Sequence, residues 1–399
     1  MRKICLSVIG LYLGLLQTFS QQSDSSAYRS RKLKLEEVNF VSSYYKQDGD
    51  NSAVEGGVGS EKLTDVANIL DLKLTIYDKR NRKHTITGEA GIDYYTSASS
   101  DRIDTKANSS ASSSDIRIYP SLSWMMEDEK RGYSAELHAS GSAEFDYQSI
   151  GVGGAFSKKS ADRNREVTVK AQVYLDQVKL ITPVELRVGG GGSHHDDDDY
   201  GSSSRNSYSG SLSVSQVVNK RLQVMVMAEL VKQEGFLGLP FHRVYFADNS
   251  LKAENLPSSR LKIPLGIRAS YFLGDKVILR SFYRFYHDDW GLNAHTAELE
   301  VPVKVTPFLS VAPFYRYYNQ SGVDYFAGYR QHQAQDEYYT SNYDLSRFDA
   351  HFLGAGIRWA PERGVLGVKH WNMIEFRYGH YNRSTGLQSD VLSLHLRFK

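Results

Sequence analysis

One pattern returns along most of this chain: about ten residues alternating apolar with polar, then a turn. Residues 221–232 show it cleanly, with Leu222, Val224, Val226, Ala228 and Leu230 on one face and Gln223, Met225, Met227 and Glu229 on the other. The same period runs through Leu70, Leu72, Leu74 and Ile76 against Asp71, Lys73, Thr75 and Tyr77. It recurs at Val167, Val169, Ala171, Val173 and Leu175, and again at Leu261, Ile263, Leu265, Ile267 and Ala269. Successive side chains of an extended strand point to opposite faces, so this alternation specifies strands with one apolar face. Helical spacing is not sustained anywhere after the first twenty residues.

The alternation and the turn signals give about sixteen strands. They centre near Phe40, Leu72, Ala90, Ile118, Leu137, Gly153, Val169, Leu212, Val226, Ile267, Phe282, Leu299, Val311, Ala355, Phe376 and Leu394. Their connections alternate in kind. One set is tight: 79–83, 127–131, 161–164, 220–221, 275–276 and 306–307. The other is often long and polar: 47–62, 99–114, 180–206, 235–260 and 320–347. A soluble sandwich has no reason to place its long loops on every second connection. A membrane barrel does, with short periplasmic turns and long external loops.

The second face decides between a soluble β-protein and a membrane barrel. It carries Arg268, Arg280, Arg284, Glu298, Glu300, Lys304, Arg316, Arg358, Glu375 and Arg377. Packing so many charges into a dry core would cost several kcal/mol each. In a barrel they line a wet lumen, where pairs such as Arg284 with Glu298 can meet across neighbouring strands. The fold expected is therefore all-β: a transmembrane antiparallel barrel of about sixteen strands with short periplasmic turns and long extracellular loops. With 27 tyrosines and only 9 prolines, the composition favours strands. Tyr44, Tyr45, Tyr94, Tyr95, Tyr283, Phe285, Tyr286, Trp290, Tyr315, Tyr317 and Tyr318 gather near the long-loop ends, as an interfacial girdle would.

The first residues, MRKICLSVIGLYLGLLQTFS, give a basic start, a short apolar run and small residues before Gln21. That is the form of a cleaved signal peptide over 1–20, too short for a spanning helix. A short periplasmic segment, 21–33, then precedes a barrel over 34–399 in the outer membrane of a Gram-negative cell. Such a segment is too short for a plug domain, which argues against a TonB-dependent transporter. No further domain is expected after the last strand. Cys5 is the only cysteine and falls in the signal, so the mature chain is expected to lack thiol or disulfide chemistry. A net charge of +2 gives no electrostatic footprint for nucleic acid.

One stretch looks foreign: GGGGSHHDDDDYGSSSR, residues 189–205. Tyr200 stands where an enterokinase site needs lysine. Tyr200 and Ser207 also occupy ligand positions of a calcium loop, so neither motif fits. His194, His195, Asp196, Asp197, Asp198 and Asp199 remain as candidates for loose cation binding in a solvated external loop. His287-Asp288-Asp289 and His380 invite an enzymatic reading, yet no nucleophilic serine in a lipase setting accompanies them. No enzyme and no cofactor are expected.

Several passages carry a resemblance: SSYYKQDGDNSAVEGGVGSEKLTD from Ser42, GIDYYTSASSDRID from Gly91 and GFLGLPFHRVYF from Gly235. RSFYRFYHDDWGLNAHTAELEVPVKVTPF from Arg280, DEYYTSNYDLSRFDAHFLGAG from Asp336 and RYGHYNRSTGL from Arg377 belong with them. Together they resemble domain-of-unknown-function family 3570, outer-membrane barrel proteins of Gram-negative bacteria. The likeness assigns no reaction. Proteins like these are often encoded beside a small lipoprotein and a flavin-attaching transferase, which implies a place near an envelope redox system. The expected partners are outer-membrane lipid and lipopolysaccharide, the outer-membrane insertion machinery and an envelope lipoprotein. The leading function is a weakly selective pore or envelope-system component. The alternatives are a closed barrel that anchors a lipoprotein and, third, an outer-membrane hydrolase.

Overall fold

A computed structural model describes residues 31–96, 114–186 and 201–399. Sixteen strands form one antiparallel ring. They are β1 (Lys34–Asp48), β2 (Leu63–Tyr77), β3 (Lys83–Thr96), β4 (Ser114–Asp128), β5 (Tyr133–Ala143), β6 (Tyr147–Lys159), β7 (Arg165–Lys179) and β8 (Ser202–Asn219). The ring continues with β9 (Leu222–Gly235), β10 (Ser259–Leu273), β11 (Val277–Asp288), β12 (Asn293–Glu300, resumed at Val303–Lys304), β13 (Leu309–Gln320), β14 (Phe348–Trp359), β15 (Trp371–Arg383) and β16 (Gln388–Phe398). Each strand pairs with its neighbours in sequence, and β1 closes the ring on β16 with Phe40 opposite Leu396. All sixteen segments expected from the alternation lie in these strands.

The alternation sets the two surfaces. On one row Leu122, Leu137 and Ile150 are 57%, 60% and 65% exposed, and Leu212, Val226, Ile267, Leu353 and Phe376 continue the belt. A water-soluble protein does not leave so long an apolar belt uncovered, whereas a lipid-facing surface requires one. The other row points inward. Among the described residues no helix is long and apolar enough to cross a membrane.

The lower turns are tight and locally wired. The Asp78 carboxylate accepts the N–H groups of Arg80 and Arg82, both at 2.9 Å. Asn219 Oδ1 likewise accepts from Arg221 and Leu222. The connection across 360–370 is the long exception on this side. On the opposite side the connection after β7 is shorter than expected, because β8 already starts at Ser202.

Register corrects two sequence expectations. Arg284 stands opposite Thr296, so Glu298 meets Arg316 on the other flank instead, at 2.7 Å. The aromatic girdle also splits, because adjacent residues face opposite ways. Tyr44, Tyr94, Tyr283, Phe285, Tyr315 and Tyr317 lie on the lipid row, and Tyr45, Tyr95, Tyr286 and Tyr318 on the inner row. Trp290 is only 2% exposed, in a core with Leu292, Ala294 and Val323 where the outer loops meet the wall.

Candidate functional site

The inner wall is charged throughout its height. Arg268, Arg280, Arg284, Glu298, Glu300, Lys304, Arg316, Arg358, Glu375 and Arg377 all fall on the inner row by register. Some are paired: Arg280 with Glu300 at 3.2 Å, and Arg377 with Glu300 at 3.1 Å and Glu375 at 3.5 Å. All ten belong to β10–β15. The remaining strands contribute Asp71, Glu89, Asp93 and Glu136 on β2, β3 and β5, and Glu229 on β9 beside β10, none of them among the lumen-lining residues expected from the sequence. Their signal is the same alternation, which already puts Asp71 and Glu229 on the polar face of their strands.

Above the wall the outer loops form one packed body. A short hairpin, Arg243–Tyr245 with Leu251–Ala253, rises from the β9–β10 loop. Val244 and Phe246 are completely buried there and pack on Tyr339 of the β13–β14 loop. Glu254 joins the same two loops. It accepts from the Leu239 N–H at 2.7 Å and from the Thr340 hydroxyl, with His242 3.6 Å away. Burial works against its charge, but His242 and these donors outweigh it and hold the carboxyl below the usual glutamate range.

This body crosses the mouth. Arg243 donates through Nη1 to the Val54 carbonyl at 2.9 Å, joining the β9–β10 loop to the β1–β2 loop. In a ring of sixteen those hairpins are diametrically opposite, so the contact can form only over the lumen. Arg243 also pairs with Glu185 of the β7–β8 connection. The inner row meets the cap directly: Arg383 of β15 pairs with Asp344 at 2.6 Å and lies 3.9 Å from Glu61. Burial raises the Glu61 carboxyl above its usual range despite that arginine. Gln320 donates to the Asp344 and Ser346 carbonyls, and Arg205 to those of Phe236 and Gly238. Beneath this cap, a cavity of about 350 Å³ is bounded by Tyr45, Arg316, Tyr318, Phe352, Tyr381 and Arg383.

With this geometry in place, the family is decided by sequence. The family described as "Protein of unknown function (DUF3570)" matches residues 14–385. The chain belongs to that family. No curated protein sequence matches this DUF3570 member. Among solved structures it is similar to the siderophore receptor PirA from Pseudomonas aeruginosa, at 11% identity and a TM-score of 0.42 over 86% of this chain and 56% of that one. It is also similar to OccK1 (OpdK) of the same organism, at 8% identity and 0.42 over 93% and 99%. OccD3 (OpdP) gives 9% identity and 0.43 over 93% and 92%. The DUF3570 chain spans about half the length of the siderophore receptors it matches.

The other sequence candidates separate in space. His287 is on the lipid row beside Asn293, while Asp288 points inward to Arg260 and Tyr286. Asp289 accepts the Leu261 N–H. His380 is also on the lipid row, sharing Asp390 with Tyr378. His194, His195 and Asp196–Asp199 lie outside the described residues, as does the segment 1–20. Among the described residues one acidic trio, Asp115, Glu144 and Asp146, comes close enough to share a cation, and Arg117 and Tyr95 already engage Glu144.

Proposed function

We propose that this barrel is a passive, non-enzymatic pore for small hydrophilic solutes in the outer membrane, narrowed by its external loops. The observation that carries this reading is charge without a counter-charge on the inner wall. Arg268, Arg284 and Arg358, and likewise Glu89, Glu136 and Glu229, have no ion partner among the described residues. Isolated charges persist only in contact with water, so the lumen is wet. A sixteen-strand barrel is wide enough for an aqueous channel. The chain reaches the membrane by secretion on its 1–20 signal, and the β-barrel insertion machinery takes it up through its last strand. Its lipid rows contact phospholipid and lipopolysaccharide.

The cap supports a second reading, because loops laced across the mouth suit a closed scaffold that anchors an envelope lipoprotein. Planar-bilayer recording separates the two. A pore gives small steps that enlarge when 321–346 is replaced by a short glycine-serine link. Silence with and without that loop means a scaffold.

A further inference from the structure

Where the inner charges sit around the ring matters as much as their number. Asp71 on β2 and Glu89 on β3 lie six residues above the lower ends of their strands. Arg268, Arg284, Arg316 and Arg377 lie five to seven residues above the lower ends of β10, β11, β13 and β15. All six therefore belong to one belt near mid-height. Around it, β2 is eight strands from β10, and β3 is eight strands from β11. Asp71 thus faces Arg268 across the lumen, and Glu89 faces Arg284.

The surroundings reinforce this division. Asp93 and Glu136 add to the acidic side, with Lys73, Arg117 and Lys170 only partly offsetting it. On the basic side Glu298 is taken up by Arg316, and Glu300 and Glu375 by Arg280 and Arg377, which leaves Arg268 and Arg284 with only one unpaired carboxylate near them, Glu229 of the adjoining β9.

Charges of both signs mixed at random would cancel locally. Segregated on opposite walls, they create a field across the channel while leaving little net potential along it. Neither a simple cation nor a simple anion gains from such a field. A solute carrying an ammonium and a carboxylate does gain, because it can turn each end towards the opposite charge. We infer that the lumen is built to pass zwitterionic solutes of the amino-acid type in preference to neutral molecules of the same size. This rests on the pore reading above.

The test uses the full mature barrel in liposomes, with glycine and its neutral isomer glycolamide as probes and potassium chloride conductance measured on the same preparation. Glycine should enter at least about twofold faster than glycolamide. The pair Arg268→Gln and Arg284→Gln should bring the ratio to one and make the channel cation-selective. The pair Asp71→Asn and Glu89→Gln should also bring it to one and make the channel anion-selective. Heat-modifiable migration on detergent gels confirms that each variant is folded. Conductance with equal entry of the two isomers overturns this inference alone. Absence of conductance overturns the pore reading and this inference with it.

Discussion

Glu254 shows how much a single buried carboxylate does here. It is 6% exposed, and it ties the β9–β10 loop to Thr340 of the β13–β14 loop. Glu254→Ala leaves His242, Thr340 and the Leu239 N–H without their acceptor, which should weaken the cap by about 3–5 kcal/mol. Limited proteolysis of the detergent-solubilised barrel should show faster cleavage in 235–259 while the strands stay intact. The carboxyl's folded pKa lies below its unfolded value, so its contribution is full above the unfolded value. It is lost as pH falls through the folded one. Acid should therefore loosen the wild-type cap below the ordinary glutamate range, and Glu254→Gln should remove that pH dependence. At this scale the inner-row arginines were legible, because period two alone assigns their face. The burial of Glu254, Asp288 and Trp290 was not. It arises from contacts between loops far apart in sequence, and local pattern carries no trace of it.

The strands themselves were the most legible elements, since each repeats one apolar row for ten or more residues. What alternation misses is how neighbouring strands fill space on the inner face. Gly91 stands directly opposite Tyr119, whose ring covers the glycine and whose hydroxyl donates to Asp93 at 2.7 Å. A Cβ at Gly91 would run into that ring. Aromatic cover of a strand glycine is a known device for pinning register. Gly91→Val should cost about 1–3 kcal/mol by overpacking and push the ring aside. The urea midpoint for loss of the heat-modifiable form should fall, whereas Gly88→Val, where a Cβ meets nothing within 4 Å, should leave it unchanged. The outer loops were half legible. Apolar residues such as Leu237, Tyr325 and Phe326 suit a freely solvated loop poorly, and in the cap they pack against the Trp290 core. The hairpin at Arg243–Tyr245 could not be foreseen, because three-residue strands are too short to show a period.

For the whole molecule, ring closure followed from the even strand number and the alternating connections, so the sequence carried the architecture. The transverse division of charge did not emerge from it. The ten inner residues singled out in the sequence all come from the C-terminal half of the ring, and their opposites become visible only once strand order places β2 against β10. The central claim is that the strands divide lipid from water with a period of two. Single-cysteine substitution along β10 tests it, with Cys5 replaced and the barrel reconstituted in lipid. A water-soluble thiol reagent should label Lys262→Cys, Arg268→Cys and Ser270→Cys. It should spare Ile263→Cys, Leu265→Cys, Ile267→Cys and Ala269→Cys, which should instead report contact with a lipid-borne quencher. Uniform labelling of both rows, or protection of the inner row as well as the outer, would contradict the account.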